Sequence, residues 1–161
     1  MEEKRDDIAS SIGLLVLRVG IGAFMLTHGL GKLQMLLAGQ FDKFADPIGL
    51  GKGISLALMT FAEFFCALSV IFGFATRFAA VPLIFGMTVA AAVVHSNDPW
   101  TMGEGARLFM TGASKSWAAK EPALLYLIPF LSLVFTGAGR FSIDEFIRQR
   151  RQERSKRSGY Q

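Results

Sequence analysis

The sequence predicts an all-α integral membrane protein, a four-helix bundle with both termini cytoplasmic, and three observations lead there. Hydrophobic residues make up 52% of the 161 residues and the mean hydropathy is +0.40, too apolar for an ordinary soluble domain of this length. The apolar residues gather in four runs, 12–31, 54–74, 78–94 and 122–137, each near the roughly 20 residues that cross a hydrocarbon layer. The charge is uneven: of the 17 Lys and Arg, seven fall in the last 22 residues. That asymmetry reads as a cytoplasmic tail before it reads as nucleic-acid binding.

The first run opens after an acidic and basic stretch, Glu2 to Asp7, and continues too far, with no small-residue cleavage site, to be a secretory signal. It is read as an uncleaved spanning helix. The second run is equally clear. The third and fourth contain Pro82 and Pro129, which spanning helices tolerate when neighbouring helices or water satisfy the freed carbonyls. Four spans put both termini on one side with Lys4, Arg5, Arg77 and the seven basic tail residues, ten in all against six opposite, so both termini are expected in the cytoplasm.

The turn between the second and third runs is short, which makes them a tight antiparallel hairpin. The two outward loops are long. In the first, Leu33, Leu36, Leu37, Phe41 and Phe44 stand near helical spacing beside polar residues, which predicts an interfacial amphipathic helix across the bundle mouth. After the fourth run, Ser142 and Glu145 have the spacing of a capping box ahead of a basic helix. The chain thus divides into a membrane domain over 1–141 and a basic tail over 142–161. A solvated tail against lipid headgroups explains that segment; a partner-binding arm is the alternative.

Ionisable groups inside a span cost about 2.5–3.5 kcal/mol each and demand partners, water or a function. Arg18 lies in the first run and Glu63 halfway through the second. Their depths, counted from the cytoplasmic ends of the runs, differ by about 6 Å, which predicts an Arg18–Glu63 ion pair. That pair is a clamp between two helices, and Glu63 is also a candidate proton carrier. Arg18, His28 and Lys32 share one face of a regular helix. His28, Lys32, His95 and Glu121 all sit at outward helix ends, with Trp100 and Trp117 in the adjoining loop, and are expected to converge on one pocket. Two imidazoles and a carboxylate have the chemistry to ligate a metal or relay a proton, and a cation beside an aromatic wall suits a quinone carbonyl. The plainer alternative is a set of separate interface residues.

Some readings are excluded. Cys66 is the single cysteine, which removes an internal disulfide and Cys-rich metal sites. Gly-Leu-Gly-Lys at 29–32 and 49–52 lacks the spacing of a phosphate loop, and Gly13, Gly20, Gly22, Gly29 and Gly31 read instead as close helix packing. A soluble binding domain and a nucleic-acid binder are set aside, because topology explains the basic tail and the apolar runs would aggregate in water.

The order and spacing of Arg18, Thr27 to Lys32, Glu63, Gly73 to Arg77, His95, Glu121 and Gly137 to Asp144 resemble the DoxX family of bacterial inner-membrane proteins, over roughly residues 10–145. The resemblance implies a multi-pass inner-membrane protein with a quinone-linked role. Quinone or quinol would bind near the outward mouth, His28, Lys32, His95 and Glu121 would bind its oxygens or move protons beside the aromatic wall of Trp100, and Glu63 would serve as relay. No haem or iron–sulfur cluster is expected to be bound by this chain alone, so an electron-transfer or assembly partner is implied. The alternative is a non-enzymatic membrane module, an assembly factor or small-molecule carrier, whose buried polar residues are structural.

Overall fold

The computed structural model describes residues 2–158 and is all-helical, with no strand among the described residues. Residue 1 and the last three residues of the expected tail lie outside the described residues. Six helices follow in order: α1 (Glu2–Leu37), α2 (Lys52–Phe72), α3 (Thr76–Val94), α4 (Met102–Met110), α5 (Glu121–Thr136) and α6 (Ile143–Ser158). Three of them, α1, α2 and α3, are long and apolar enough to cross a membrane. The fourth apolar helix, α5, has 16 residues and is shorter than that length.

Helix α1 runs for 36 residues because nothing breaks it before Gly39. There the chain turns left-handed (φ 66°), Gly39 N–H donates to Leu36 and Gln40 N–H reaches back to Met35, which satisfies the last carbonyls of the helix. The expected interfacial helix across 33–44 therefore does not form. Leu33, Leu36 and Leu37 complete α1, and Phe41 lies in a single 3₁₀ turn (Phe41–Lys43). The amphipathic helix of the loops is α4 instead, in the second long loop, with Thr101 accepting from the Glu104 N–H at its start.

Helix α2 packs on α1 and α3, and α5 packs on α3 and α1. Met25, Ala67, Val70, Leu83, Phe130 and Leu133 fill the space they enclose and are nearly inaccessible. On the outside, large apolar side chains such as Phe24, Phe78, Phe85 and Phe135 are exposed, as expected of helices whose solvent is lipid. Of the glycines read as packing residues, Gly22 and Gly29 do meet a neighbour: a Cβ on Gly22 would strike Ile71, and one on Gly29 would lie 2.3 Å from the Glu63 carbonyl oxygen. Gly13, Gly20 and Gly31 face open space.

Both α2 and α3 contain a π-helical turn, Phe61–Cys66 and Ala90–Val94. Such turns insert a residue into an otherwise regular helix and gather at functional sites. At the opposite end of the molecule, which carries α6 and the α2–α3 turn and is called here the tail end, Arg18 is 1% exposed and donates to the carbonyls of Ile71 (2.7 Å), Val70 (3.4 Å) and Phe141. Two of these are among the final carbonyls of α2, where Val70 also accepts from the Gly73 N–H that caps the helix. Asp144 then does for α3 what no local residue does: its carboxylate accepts from the backbone N–H of Ala75 (2.7 Å) and Thr76 (3.0 Å), while its own N–H donates to Gly73 O (2.9 Å). The expected capping box is half made. Ser142 Oγ accepts from the Glu145 N–H, but the Glu145 carboxylate turns to Arg148 and Gln149.

Candidate functional site

Glu63 lies in the π turn of α2 and is buried. Its carboxylate takes a 2.5 Å hydrogen bond from Lys32 Nζ, whose side chain is about one-fifth exposed. The partner expected from depth counting was Arg18, and the structure does not form that pair. Gly29 sits against Glu63 and Gly22 against Ile71, so α1 and α2 run antiparallel with Glu63 level with residue 29. Arg18 is eleven residues further along α1, roughly 16 Å away at 1.5 Å per residue. It is occupied with backbone carbonyls at the tail end, and Lys32 is the cation at the level of Glu63.

The ion pair forms part of the wall of a cavity of about 440 Å³ between α2 and α3, at the end that carries the long loops. That volume lies in the range of ligand pockets. Both π turns border it, through Glu63 on one side and Ala90 and Val94 on the other. Apart from Lys32, Glu63 and Ser55, its side chains are apolar. Leu58, Phe61 and Phe85 on its lining are each more than half exposed, so the cavity has an apolar mouth on the flank of the helices.

Phe44, Ala45, Pro47 and Ile48 of the first long loop form another part of its wall. Asp46 fastens that loop to α2, its carboxylate accepting from Ser55 Oγ (2.7 Å) and from the backbone N–H groups of Gly51 (2.7 Å) and Leu50 (3.0 Å). The bond from Ser55 and those from the backbone hold the Asp46 carboxyl below its ordinary value, against a smaller opposing effect of burial.

The other expected site residues are not brought to this cavity. His28 lies beside rather than on the inward stripe of Arg18, Gly22, Met25 and Gly29, and it meets the Tyr126 ring of α5 edge-on at 5.6 Å. Tyr126 in turn interacts electrostatically with Glu63. His95 Nδ1 is 2.8 Å from Asp98, three residues on. Trp100 carries Lys120 over its ring at 5.0 Å, and Glu121 accepts from the Met102 N–H at 2.7 Å. The last two contacts brace the second long loop onto the start of α5, while the first is local to the end of α3. Among the described residues, no three of the His, Cys, Asp and Glu side chains are grouped as metal ligands.

Sequence reasoning missed the apolar cavity itself. One signal for it was available: Gly29 precedes Lys32 by three residues, on the same face, so the residue that permits close approach to α2 predicts which cation faces it.

Comparison with known proteins gives one family and one relative. The profile of the DoxX family matches residues 13–96, the stretch that holds α1 from residue 13 onward, α2, α3 and the whole cavity wall. The inner membrane protein YqjF of Escherichia coli (strain K12) is 28% identical over 139 residues, which covers 86% of this chain and 95% of that protein. No solved structure matches the chain.

Proposed function

The chain belongs to the DoxX family of membrane proteins, and on that premise we propose that it is a four-span protein of the bacterial inner membrane, both termini cytoplasmic, that binds quinone or quinol as a component of a quinone-linked oxidoreductase. The observation that supports this reading is an apolar cavity of about 440 Å³ with one buried cation–carboxylate pair in its wall. Its apolar mouth admits a ligand dissolved in lipid. The residues fit the group. The Lys32 ammonium is a donor for a carbonyl oxygen, and the Glu63 carboxylate is an acceptor for a hydroxyl, so the pair serves both the oxidised and the reduced ring. A bound quinone supplies the two-electron acceptor chemistry, with electrons passed by a partner protein. Glu63, hydrogen-bonded to Lys32 in the native chain, holds or accepts the proton at that oxygen.

Saturable binding of a short-chain quinone analogue to the purified chain in detergent tests the reading. Ala90→Phe fills the cavity without touching the ion pair and is expected to abolish binding with little change in melting temperature. Lys32→Met is expected to weaken binding roughly tenfold, the loss of one charge-assisted hydrogen bond. His95→Ala, in the braced loop, leaves it unchanged. Binding that survives Ala90→Phe would reject the cavity as the quinone site and favour a structural module whose Lys32–Glu63 pair only joins two helices.

A further inference from the structure

A second cavity, of about 620 Å³, lies at the tail end between the N-terminal half of α1, the start of α3, the end of α5 and the start of α6. It is unlike the first in every chemical respect. Three arginines from three different elements border it: Arg77 on α3, Arg140 in the turn before α6 and Arg148 on α6. Two carboxylates border it as well, but both are engaged. Asp144 accepts from the backbone N–H groups that open α3, and Glu145 is held by Arg148 and Gln149 and interacts with Arg140. Arg77 donates to the Phe135 carbonyl at 3.1 Å, a neutral acceptor that leaves its charge uncompensated by that bond. Gly137 makes room for it: a Cβ there would stand 3.2 Å from Arg77 Nε, and the residue has φ 75°.

Thr76 adds an independent observation. It belongs to the cavity wall, has no accessible surface, and its hydroxyl oxygen has no hydrogen-bond partner among the described residues. A buried hydroxyl without a partner costs free energy unless a ligand supplies one. The flanks complete the picture. Phe78 and Phe135 stand beside Arg77 and are 81% and 74% exposed, so apolar surface runs directly away from the basic cavity along the outside of the helices.

We infer that this cavity binds the phosphodiester headgroup of an anionic phospholipid, Arg77 meeting the phosphate oxygens and the acyl chains lying along Phe78 and Phe135. The level is right: Arg77 is the second residue of a helix long enough to span, which puts its guanidinium at the headgroup layer, where basic pockets between helices take such lipids. The guanidinium fork matches two phosphate oxygens, and a Lys in its place does not. The site is separate from the quinone cavity and stands whether or not that cavity binds quinone.

The test titrates the purified full chain in mild detergent with phosphatidylglycerol, with phosphatidylcholine and with inorganic phosphate, reading melting temperature and retention of a single lipid adduct by native mass spectrometry. Phosphatidylglycerol is expected to raise the melting temperature and remain bound, phosphatidylcholine to do neither, and millimolar phosphate alone to have no effect. Arg77→Gln is expected to weaken phosphatidylglycerol binding roughly tenfold. Arg77→Lys, which keeps the charge and the fold, is expected to lose part of that. Thr76→Val, nearly the same shape, weakens binding without lowering the melting temperature of the lipid-free chain. Equal retention of phosphatidylcholine, stabilisation by phosphate alone, or indifference to both Arg77 substitutions would each overturn the assignment.

Discussion

At the scale of residues, the chain solves the problem of its two most buried charges differently. Arg18 spends its guanidinium on backbone carbonyls at the end of α2 and in the turn before α6, whereas Glu63 takes a side-chain cation. The sequence announces that both need partners, since each sits inside an apolar run, yet it does not say which. Depth counted from the edges of apolar runs fails here because Gly22 meets Ile71 and Gly29 meets Glu63, which places the edge of the first run at residue 12 beyond the end of α2, so the run edges of the two helices are not at one level. The consequence is measurable by double-mutant cycles on unfolding in detergent. Lys32→Met and Glu63→Gln are expected to couple by about 0.5–3 kcal/mol, while Arg18→Met and Glu63→Gln are expected to add within about 0.5 kcal/mol. Coupling of the second pair and not the first would reverse the assignment. Arg18→Met by itself removes the side-chain donor of the part-buried Ile71 and Phe141 carbonyls, while Val70 keeps the Gly73 N–H, and is expected to lower stability by about 1–3 kcal/mol.

At the scale of elements, the loop over residues 38–51 is fastened to α2 at two points, by the Asp46 carboxylate and by Lys52 Nζ, which donates to the Asp42 carbonyl (3.0 Å). Asp46 has its folded-state value below the ordinary one, so the stabilisation it gives is fully present above the unfolded carboxyl value and is lost as pH falls through the lower, folded value. Hydrogen exchange of the loop amides, those of Leu50 and Gly51 above all, is therefore expected to rise relative to the helices as the solution is taken below about pH 4. Asp46→Asn is expected to show the faster exchange already at pH 7. A loop whose relative protection stays flat with pH would remove Asp46 as its fastening. None of this was legible in advance, because Asp46 precedes a proline in a stretch that reads only as an outward loop. The second loop was harder still. Helix α4 has nine residues with two glycines among them, and it shows itself only once Glu121 and Lys120 are seen pinning the loop from its far end.

At the scale of the whole molecule, the apolar runs predicted the helices because hydropathy and length are conditions a spanning segment has to meet, and α1, α2 and α3 meet them. The proposed four-span topology makes a simple prediction. Reporters fused after residue 161 and inserted near Gly112 are expected to report opposite sides of the membrane, and a shared side would mean that α5 does not cross. The candidate site was half legible: Lys32 and Glu63 stand in the cavity wall, while His28, His95, Trp100 and Glu121 serve α5 and the second loop. Similar outward position did not bring them to the cavity, and each meets a different partner, Tyr126 for His28, Asp98 for His95, Lys120 for Trp100 and the Met102 N–H for Glu121.

The π turn in α2 also sets a mechanical constraint. Helix α1 is joined to α2 at two stations, Lys32 with Glu63 near one end and Arg18 with Val70 and Ile71 near the other, and the turn lies at the first of them. Its extra residue advances everything after it by about 100° and 1.5 Å relative to an unbroken helix. Removing one residue from this turn would restore an ordinary α-helix and leave each station chemically intact. The two stations would nonetheless fall out of phase, and α1 would have to choose which one to keep. The inserted residue thus acts as a vernier, setting the rotation at which one helix grips another at two stations.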